Sequence, residues 1–572
     1  MSAPRRFPNP LVPLTVLAIL VLGMVSLQRW GLRERAAAHP GVGNPPESEA
    51  AFRLTYLKPK AGFPSSFRTP CSQCHSSPSA FPVERWAALH QRSLLGQTGW
   101  SEASGATAQC GICHSPPSPA MLTHTNWVEV FHRMAEIRHD KGVLPLTPDQ
   151  QADLLHFYLT FSPANAPHLA PDPPLVTHVE NREVVSIPFG APAAADSRSH
   201  PILGNVRIAD LDADGRPDVI LCDTEASQVT WVHRPSGRTN WIEEPLASVP
   251  HPTRSRPWTN AATGRMDLIV AAQTRIDPTD DLVGSVVWLR NLGPGGFSSQ
   301  TLAEGLGRVA DVEPGDFNGD GRVDFLVAGF GYLKTGEIGW LENSGNDRWN
   351  YHPIVVRNGA IDAIPVDLDG DGRLDFIALF AQEHERISAF LNDGHGGFRE
   401  RVLFEAGTPA YGSSGISLVD LDGDGDLDIL YTNGDSMDLP TRVPRPFHGV
   451  QWLKNLGGLR FEWHEIRRIY GAYAAVAVDL RGDRHPDLFV GSLFNDWEDP
   501  NRASLLWLRN DGQQRFAAHT LARVPTQLIS LTVGALDGDG SLDILATGMH
   551  GFPPFDRRGR VSRWRLNPNP KP

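Results

Sequence analysis

The chain has 572 residues, of which 41% are hydrophobic and 20% are charged. This composition is typical of globular protein and excludes general disorder, and the length allows several domains. The formal net charge is −13 and no basic stripe with interleaved aromatic residues is present, which excludes nucleic acid as a partner.

Residues 11–27 form an uncharged apolar run near the N-terminus. The run is slightly shorter than a typical spanning helix and longer than the usual apolar region of a signal peptide. Arg29, Arg33 and Arg35 separate it from a possible cleavage site at residues 36–38. We therefore predict that residues 1–30 are an uncleaved membrane anchor, with a cleaved signal segment as the alternative. Residues 31–52 are rich in Ala, Gly and Pro and are predicted to be a linker.

Two complete Cys-x-x-Cys-His motifs follow the linker. They consist of Cys71, Cys74 and His75, and of Cys110, Cys113 and His114. Each cysteine pair can form two thioethers to one porphyrin, and the adjoining histidine is then the axial ligand of the iron. A four-cysteine zinc site or two disulfides are the alternatives, but neither needs a histidine after both pairs. The motifs predict two covalent c-type haems, which are attached outside the cytoplasmic membrane.

Helical periodicity is predicted for residues 84–95, 126–138 and 147–161. Thr147 and Pro148 supply a helix start signal for the third segment. The stretches WVEVFHRMAEI and LTPDQQADLLHFYLTF resemble the C-terminal part of c-type cytochromes. The resemblance implies a small α-helical dihaem cytochrome c domain over residues 53–163.

The distal ligands of the two irons are less well determined by the sequence. We predict Met134 for the second haem and His90 for the first, although Met134 could equally be a core residue. The alternatives are Met121, His124, His132 and His139.

A proline-rich stretch, residues 164–176, is predicted to be a stiff linker. Beyond it a nine-residue loop recurs, with oxygen side chains at positions 1, 3, 5 and 9 and glycine at position 6. This pattern can surround a hard cation with oxygen. The intact copies contain Asp210, Asp212, Asp214 and Asp218; Asp316, Asn318, Asp320 and Asp324; Asp367, Asp369, Asp371 and Asp375; and Asp420, Asp422, Asp424 and Asp428.

Three further copies are incomplete. A fifth loop lacks its first carboxylate but keeps Asp537, Asp539 and Asp543. In the copy at residues 479–487, Arg481 and Arg484 replace a ligand and the glycine, and the copy at residues 259–267 keeps only Gly264 and Asp267. We expect these two copies to bind no metal.

Each loop is followed by an apolar strand and then by a strand of the Trp-Leu-x-Asn type. The aromatic residue of this second signature is Trp231, Trp288, Trp340, Phe390, Trp452, Trp507 or Trp564. Repeats of this length with short strands are typical of radial β architecture with one blade per repeat. We predict an all-β propeller of seven blades over residues 177–572, in which a strand at residues 184–189 completes the last blade.

The motifs LDGDGDLDIL and WLENSG resemble the FG-GAP or VCBS repeats of integrin-type propellers. The resemblance implies calcium in the intact loops, about four or five ions in all. Cys222 follows a predicted strand and is expected to be a buried thiol.

Together these features predict a multi-domain protein with an N-terminal transmembrane anchor, a dihaem domain and a seven-bladed propeller. The expected function is electron transfer on the periplasmic side of the cytoplasmic membrane, with a redox protein or membrane complex as partner. An exported soluble form is the alternative location. Two other functions stay open: a propeller dehydrogenase that passes electrons to the haems, and adhesion or glycan binding.

The haem motifs generate a direct test. Replacing Cys71 and Cys74 with Ser is expected to remove half of the haem absorbance, because one of the two porphyrins loses both attachment points. Haem should also stay on the wild-type protein after acid-acetone extraction. An unchanged absorption spectrum in the double variant would contradict the assignment.

Overall fold

The computed structural model describes Pro119 and residues 122–165, 170–190 and 200–568, apart from residues 236, 276, 407, 438–444 and 446. Both Cys-x-x-Cys-His motifs, His90, Met121 and the segments at residues 11–27 and 84–95 lie outside the described residues. Within the described ranges, no helix is both long enough and apolar enough to cross a membrane.

Among the described residues, two helices precede the β structure, α1 (His124–Asp140) and α2 (Pro148–Phe161). Both were predicted, and Thr147 caps α2 in a capping box with Gln150. Trp127 of α1 packs on Tyr158 of α2 with the ring centroids 4.2 Å apart, and both side chains are buried. After α1, the Lys141 ammonium lies 2.6 Å from a carboxylate oxygen of Glu383 in the propeller.

In the described part of the chain, twenty-nine strands follow the helices. They are β1 (His178–Val179), β2 (Arg182–Ile187), β3 (Leu203–Ala209), β4 (Asp218–Asp223), β5 (Gln228–His233), β6 (Ile242–Ser248), β7 (Pro252–Asn260), β8 (Arg265–Ala272), β9 (Gly284–Asn291), β10 (Phe297–Leu306), β11 (Val309–Gly315), β12 (Asp324–Gly329), β13 (Glu337–Asn343), β14 (Trp349–Val356), β15 (Ala360–Val366), β16 (Asp375–Phe380), β17 (Arg386–Asn392), β18 (Phe398–Glu405), β19 (Gly415–Val419), β20 (Asp428–Asn433), β21 (Gly449–Asn455), β22 (Phe461–Arg468), β23 (Ala472–Val478), β24 (Asp487–Ser492), β25 (Leu505–Asn510), β26 (Phe516–Ala522), β27 (Leu528–Gly534), β28 (Leu542–Gly548) and β29 (Val561–Pro568).

The strands form seven antiparallel sheets, which confirms the predicted seven-bladed propeller. Blades 1 to 6 each contain four consecutive strands, from β3–β6 in blade 1 to β23–β26 in blade 6. The first strands of neighbouring blades pack against one another and therefore surround the axis of the ring. The second strand of every blade is almost wholly buried, because apolar side chains cover both of its faces.

Blade 7 closes the ring by pairing the two ends of the propeller. Its strand order is β27, β28, β29, β2 and β1, so β2 from before blade 1 adds to the last strand of the chain. The pairing is antiparallel, with Ser186 opposite Trp564. The predicted closing strand is confirmed, and the closure leaves no unpaired edge on β29.

The described part of the predicted linker is bound to blade 6. The amide of Ala503 donates to the Asp172 carboxylate at 2.7 Å, and Arg502 donates to the carbonyl of Ala170 at 2.6 Å. Thr520 on β26 donates its hydroxyl to the Pro173 carbonyl at 2.7 Å. Residues 170–176 are therefore fixed to the propeller, and we call them the strap. The prolines stiffen this segment, but it is not a free linker.

Side chains of opposite charge meet at the axis of blades 2, 3 and 4. Arg256 on β7 pairs with Asp311 at 3.1 Å and with Glu313, both on β11. Arg254 pairs with Asp311 at 3.4 Å and reaches across to Asp362 on β15. Desolvation raises the pKa of Glu313 to about 7, against the lowering effect of Arg256. The network joins three blades by ion pairs that lie largely out of water.

The strand register places five of the seven signature aromatic residues at the same position. Trp340 lies opposite Leu326, two residues after Asp324, and the same relation holds for the tryptophans of blades 1, 2, 5 and 6. In blades 4 and 7 the equivalent positions are Ala389 and Arg563, and Phe390 and Trp564 each come one residue later. The predictions for these two aromatic residues are wrong by one position, and a one-residue shift in a strand places a side chain on the opposite face.

Asp311 is completely buried between two arginines and also accepts the amide of Ala363 at 3.3 Å. We expect Asp311→Ala to lower the free energy of unfolding by about 3 kcal/mol, because it leaves buried guanidinium groups without this carboxylate. Thermal or urea unfolding of the full chain measures the loss. Glu304→Ala, an exposed position on β10, is the control and should change little; an equal effect of both variants would contradict the role of the network.

Candidate metal centres

The repeated loops join the first and second strands of each blade, so they all lie at one end of the ring. We call this end, which also carries the turns between third and fourth strands, the loop face. The connections between second and third strands and between blades lie at the opposite end, the second face, because neighbouring strands in a blade are antiparallel.

The carboxylate at position 1 organises the backbone of each intact loop. In blade 1, Asp210 accepts the amides of Asp214 at 3.0 Å and Gly215 at 2.9 Å. The position 6 glycine donates to the same carboxylate in the other intact loops, as from Gly372 to Asp367 at 3.0 Å and from Gly425 to Asp420 at 3.0 Å. The loop is thereby curled around its first carboxylate.

Three loops bring a set of carboxylates together. In each set, one oxygen from every member lies within 4.8 Å of the others. The sets are Asp210, Asp212 and Asp218; Asp367, Asp369 and Asp371; and Asp420, Asp422 and Asp428. Oxygen-only sets of this kind match the ligand preference of Ca²⁺, so the residues of blades 1, 4 and 5 fit such an ion.

The loop of blade 3 has the same backbone arrangement with one neutral ligand. Asp316 accepts the amides of Gly319 and Gly321, each at 2.8 Å, and Asn318 accepts the amide of Asp320 at 3.1 Å. Because Asn318 is neutral, this loop presents less negative charge to a cation than the loops with the three carboxylate sets.

The fifth predicted site has arginine partners for its carboxylates. Asp537 pairs with Arg234 at 2.8 Å and Arg565 at 2.8 Å, and Arg563 donates to Asp543 at 2.6 Å. Asp539 also pairs with Arg565. Guanidinium groups supply the positive charge in blade 7, and we therefore do not count this loop among the candidate centres.

The position 9 aspartate has a role that the sequence pattern alone did not reveal. In blade 3, Asp324 accepts the amide of Phe317 at 3.1 Å and the amide of Asn343, at the end of the third strand, at 2.8 Å. Asp375 makes the same two bonds with Leu368 and Asn392. This aspartate is buried in every blade, and burial raises the pKa of Asp218 and Asp324 to about 6.

The two degenerate loops retain this arrangement although neither keeps the full pattern. Asp267 accepts the Asn291 amide at 2.7 Å and the Trp288 indole N–H at 3.0 Å. Asp487 accepts the equivalent groups of Asn510 and Trp507, each at 2.9 Å. We call this unit, the position 9 aspartate with the third-strand asparagine, the Asp–Asn pin. It operates without a carboxylate set, so its first role is structural.

The asparagine of the pin also links neighbouring blades. The Asn291 side-chain amide donates to the Leu211 carbonyl in the loop of blade 1 at 3.0 Å. Asn392 makes the same bond to Phe317 of the preceding blade at 2.9 Å. Recurrence of Asn at the end of the third strand was the sequence signal for this contact.

The backbone conformation at position 4 of the repeated loop is a second feature, which the glycines in the sequence indicated only in part. The residue there has a positive φ, as in Gly319 (73°), Gly370 (76°) and Gly423 (79°), and blade 1 has Ala213 at 61°. Glycine adopts this region without steric cost, whereas alanine is strained there.

Four candidate haem ligands belong to α1, whereas both Cys-x-x-Cys-His motifs lie outside the described residues. Met134 is half-buried on α1, and His132 and His139 are exposed. The His124 ring is 3.0 Å from the Ser162 carbonyl near the end of α2, a contact that joins the two helices. Their roles as ligands stay predictions.

Cys222 is buried within β4, as expected for a structural thiol. Burial raises its pKa to about 12, so the thiol stays protonated and unreactive near neutral pH.

Comparison with known proteins supports the repeat assignment. Residues 261–327, 367–431 and 479–546 match the FG-GAP-like repeat, so the chain contains FG-GAP-like repeats within a seven-bladed propeller. The chain is 24% identical over 281 residues to a T-cell immunomodulatory protein homolog of Plasmodium falciparum, covering 42% of this chain and 37% of that protein. It is 26% identical over 202 residues to cartilage acidic protein 1 of Xenopus tropicalis, covering 32% and 29%.

The chain thus spans well under half the length of the curated relatives it matches. Among solved structures, it is similar to BBS1N in complex with ARL6DN, with a TM-score of 0.39 and 12% identity over 67% of this chain and 98% of that one. Similarity at this level assigns no function.

The candidate centres predict that calcium stabilises the propeller. Removing calcium with a chelator is expected to lower the melting temperature, because the clustered carboxylates then repel one another. Each site contributes about 2.7 kcal/mol when free calcium is a hundredfold above its dissociation constant. Differential scanning calorimetry with and without chelator measures the difference.

Two variants separate metal binding from loop structure. Asp420→Ala should reduce the calcium-dependent part of the melting temperature. Asp479→Ala in the degenerate loop of blade 6 should leave that part unchanged, although it removes backbone bonds such as Arg484 to Asp479 at 2.8 Å. Equal melting temperatures of the wild type with and without chelator would remove calcium from this interpretation.

Proposed function

We propose that this chain is an exported binding protein of the adhesion type, whose propeller holds calcium in its loop face and binds its partner or glycan through the ring. The observation that carries the proposal is the set of three carboxylate clusters, each built by the same loop geometry in a different blade. Metal held at the loop ends would fix the blades against one another and keep the binding surface rigid.

The second face supports a binding role through its long connections. Residues 493–504 join β24 to β25 in blade 6, and residues 549–560 join β28 to β29 in blade 7. Trp497, Phe494 and Phe552 lie in these connections, and Phe494 packs on Phe552 with the centroids 5.8 Å apart. Long loops on a rigid scaffold are where propellers and other β folds place their binding residues.

The names of the matched relatives favour the same interpretation. One is described as a T-cell immunomodulatory protein homolog and the other as cartilage acidic protein 1, and neither name denotes electron transfer. Because the similarity covers under half of this chain, these names support the proposal only in general terms.

Electron transfer is the second candidate function, and it depends on the two complete Cys-x-x-Cys-His motifs. In this proposal residues 53–163 hold two haems on the periplasmic side of the cytoplasmic membrane, anchored by residues 1–30. A redox protein or membrane complex is then the partner. Contact between Lys141 and Glu383 and the strap on blade 6 connect the helical end of this segment, α1 and α2, to the propeller. A dehydrogenase activity would require an additional bound cofactor, such as a quinone.

Binding assays distinguish the two functions. The full chain is expected to bind a defined subset of arrayed glycans or immobilised extracellular proteins in calcium, and to lose most of that binding in chelator. Asp420→Ala should weaken binding, whereas Arg401→Gln, an exposed change on β18, should not.

A full chain that binds no array component yet exchanges electrons with membrane fractions would contradict the adhesion proposal and favour electron transfer. Haem reduction that requires an added sugar or alcohol, together with extractable quinone, would favour the dehydrogenase.

A further inference from the structure

One third-strand residue stands opposite the position 9 aspartate of the repeated loop, and its charge differs between blades. In blade 7 it is Arg565, which lies opposite Asp543. Extending the antiparallel ladders of blades 5 and 4 by one pair gives Lys454 and Leu391 at the same place. We call this the flanking position. It carries a guanidinium, an ammonium and an apolar side chain in blades 7, 5 and 4.

In blade 7 the flanking residue supplies a cation to the loop. Arg565 pairs with Asp537 at 2.8 Å and with Asp539, the carboxylates at positions 3 and 5. Arg234 pairs with the same Asp537 at 2.8 Å. Charge-assisted bonds between guanidinium and carboxylate are strong, so these carboxylates have a counter-charge from within the chain.

Lys454 contacts the same two loop positions in blade 5. Its ammonium pairs with Asp422 at position 3 and lies 3.5 Å from Asp424 at position 5. The Asp422 side chain is only 7% exposed and belongs to the carboxylate set of this blade. Arg484 also lies 3.7 Å from the position 1 carboxylate, but its side chain is 70% exposed, and such pairs contribute little. A metal ion bound by this set would therefore share Asp422 with the Lys454 ammonium.

Blade 4 offers its carboxylate set without such an ammonium. Leu391 carries no charge, and within the described ranges no basic side chain pairs with Asp367 or Asp369, at positions 1 and 3. Arg373 pairs with Asp371 at position 5 from the outside of the loop, with its side chain 46% exposed. The carboxylates at positions 1 and 3 are thus available to a metal in blade 4, whereas position 3 is occupied in blade 5.

We propose that Lys454 lowers the calcium affinity of blade 5 and neutralises its carboxylates when calcium is absent. The ammonium repels a cation bound to the same carboxylates, and the affinity of an oxygen site for calcium depends on the charge of its ligands. Blade 4, with Leu391 at the flanking position, then binds calcium more tightly, and blade 5 fills at a higher concentration. This inference rests on the calcium loops of the proposed function and gives them a graded response.

Exchanging the flanking residues of two blades tests this inference in the full chain. Lys454→Leu is expected to tighten one calcium site about tenfold, because the competing ammonium is removed. Leu391→Lys should weaken one site by a similar factor. Isothermal titration calorimetry with calcium chloride measures both changes. Lys454→Arg should stay close to the wild type, and Lys334→Leu, which removes an exposed lysine from the second face, should change nothing.

Melting temperatures separate competition with calcium from a purely structural role. In chelator, Lys454→Leu should lower the melting temperature, because the clustered carboxylates lose their ammonium. Saturating calcium should restore the wild-type value, since the metal then neutralises the same groups. An equal loss of stability with and without calcium would show that Lys454 is structural and would contradict the inference. In an Asp420→Ala background, Lys454→Leu should no longer tighten any site.

Failure of this inference and failure of the calcium loops give different results. Calcium binding by the wild type that neither Lys454→Leu nor Leu391→Lys changes would overturn the role of the flanking position alone. A wild type that binds no calcium in the calorimeter would overturn the calcium loops of the proposed function together with this inference.

Discussion

A buried aspartate at the start of the second strand holds each blade of this propeller together. Its carboxylate is withdrawn from water in all seven blades, and backbone and indole N–H groups around it replace the lost hydration. In the loops of blades 3 and 4, one oxygen fixes the loop and the other fixes the end of the third strand. The conformation of the loop, the position of the third strand and the contact between neighbouring blades all depend on this one carboxylate.

This arrangement explains why the blades can differ so much in their loops. Blade 2 has lost its carboxylate set, and blade 6 carries Arg481 within its loop, bonded to Asp487 at 2.9 Å. In blade 7, arginines pair with Asp537 and Asp543. Blades 2 and 6 still have the pin, because it needs only the aspartate and the third-strand amide, whereas in blade 7 Arg563 donates to Asp543 instead. The carboxylate sets of three blades are therefore an addition to the fold.

The two ends of the ring consequently have different properties. The loop face collects negative charge in repeated, nearly identical units, and its chemistry is that of hard cations. The second face is built from connections of unequal length and contains buried arginine, histidine and aromatic side chains. Between them, the axis is joined by the ion pairs of Arg254 and Arg256 with acidic residues of blades 3 and 4.

Local patterns in the sequence were sufficient for the blade count, the closing strand, both described helices and the loops with their first carboxylates. Each of these depends on residues close together in the chain or on an exact repeat, so a linear pattern contains it. The haem motifs are equally local, and their prediction depends on covalent chemistry alone.

Other features were decided by tertiary structure, because they join residues that are far apart in the chain. Register places Phe390 of blade 4 and Trp564 of blade 7 one residue beyond the position of the other signature aromatics, since strand pairing and not the motif sets which face a side chain occupies. Arg234 lies some three hundred residues from Asp537, yet ring closure brings them to 2.8 Å and changes the chemistry of that loop.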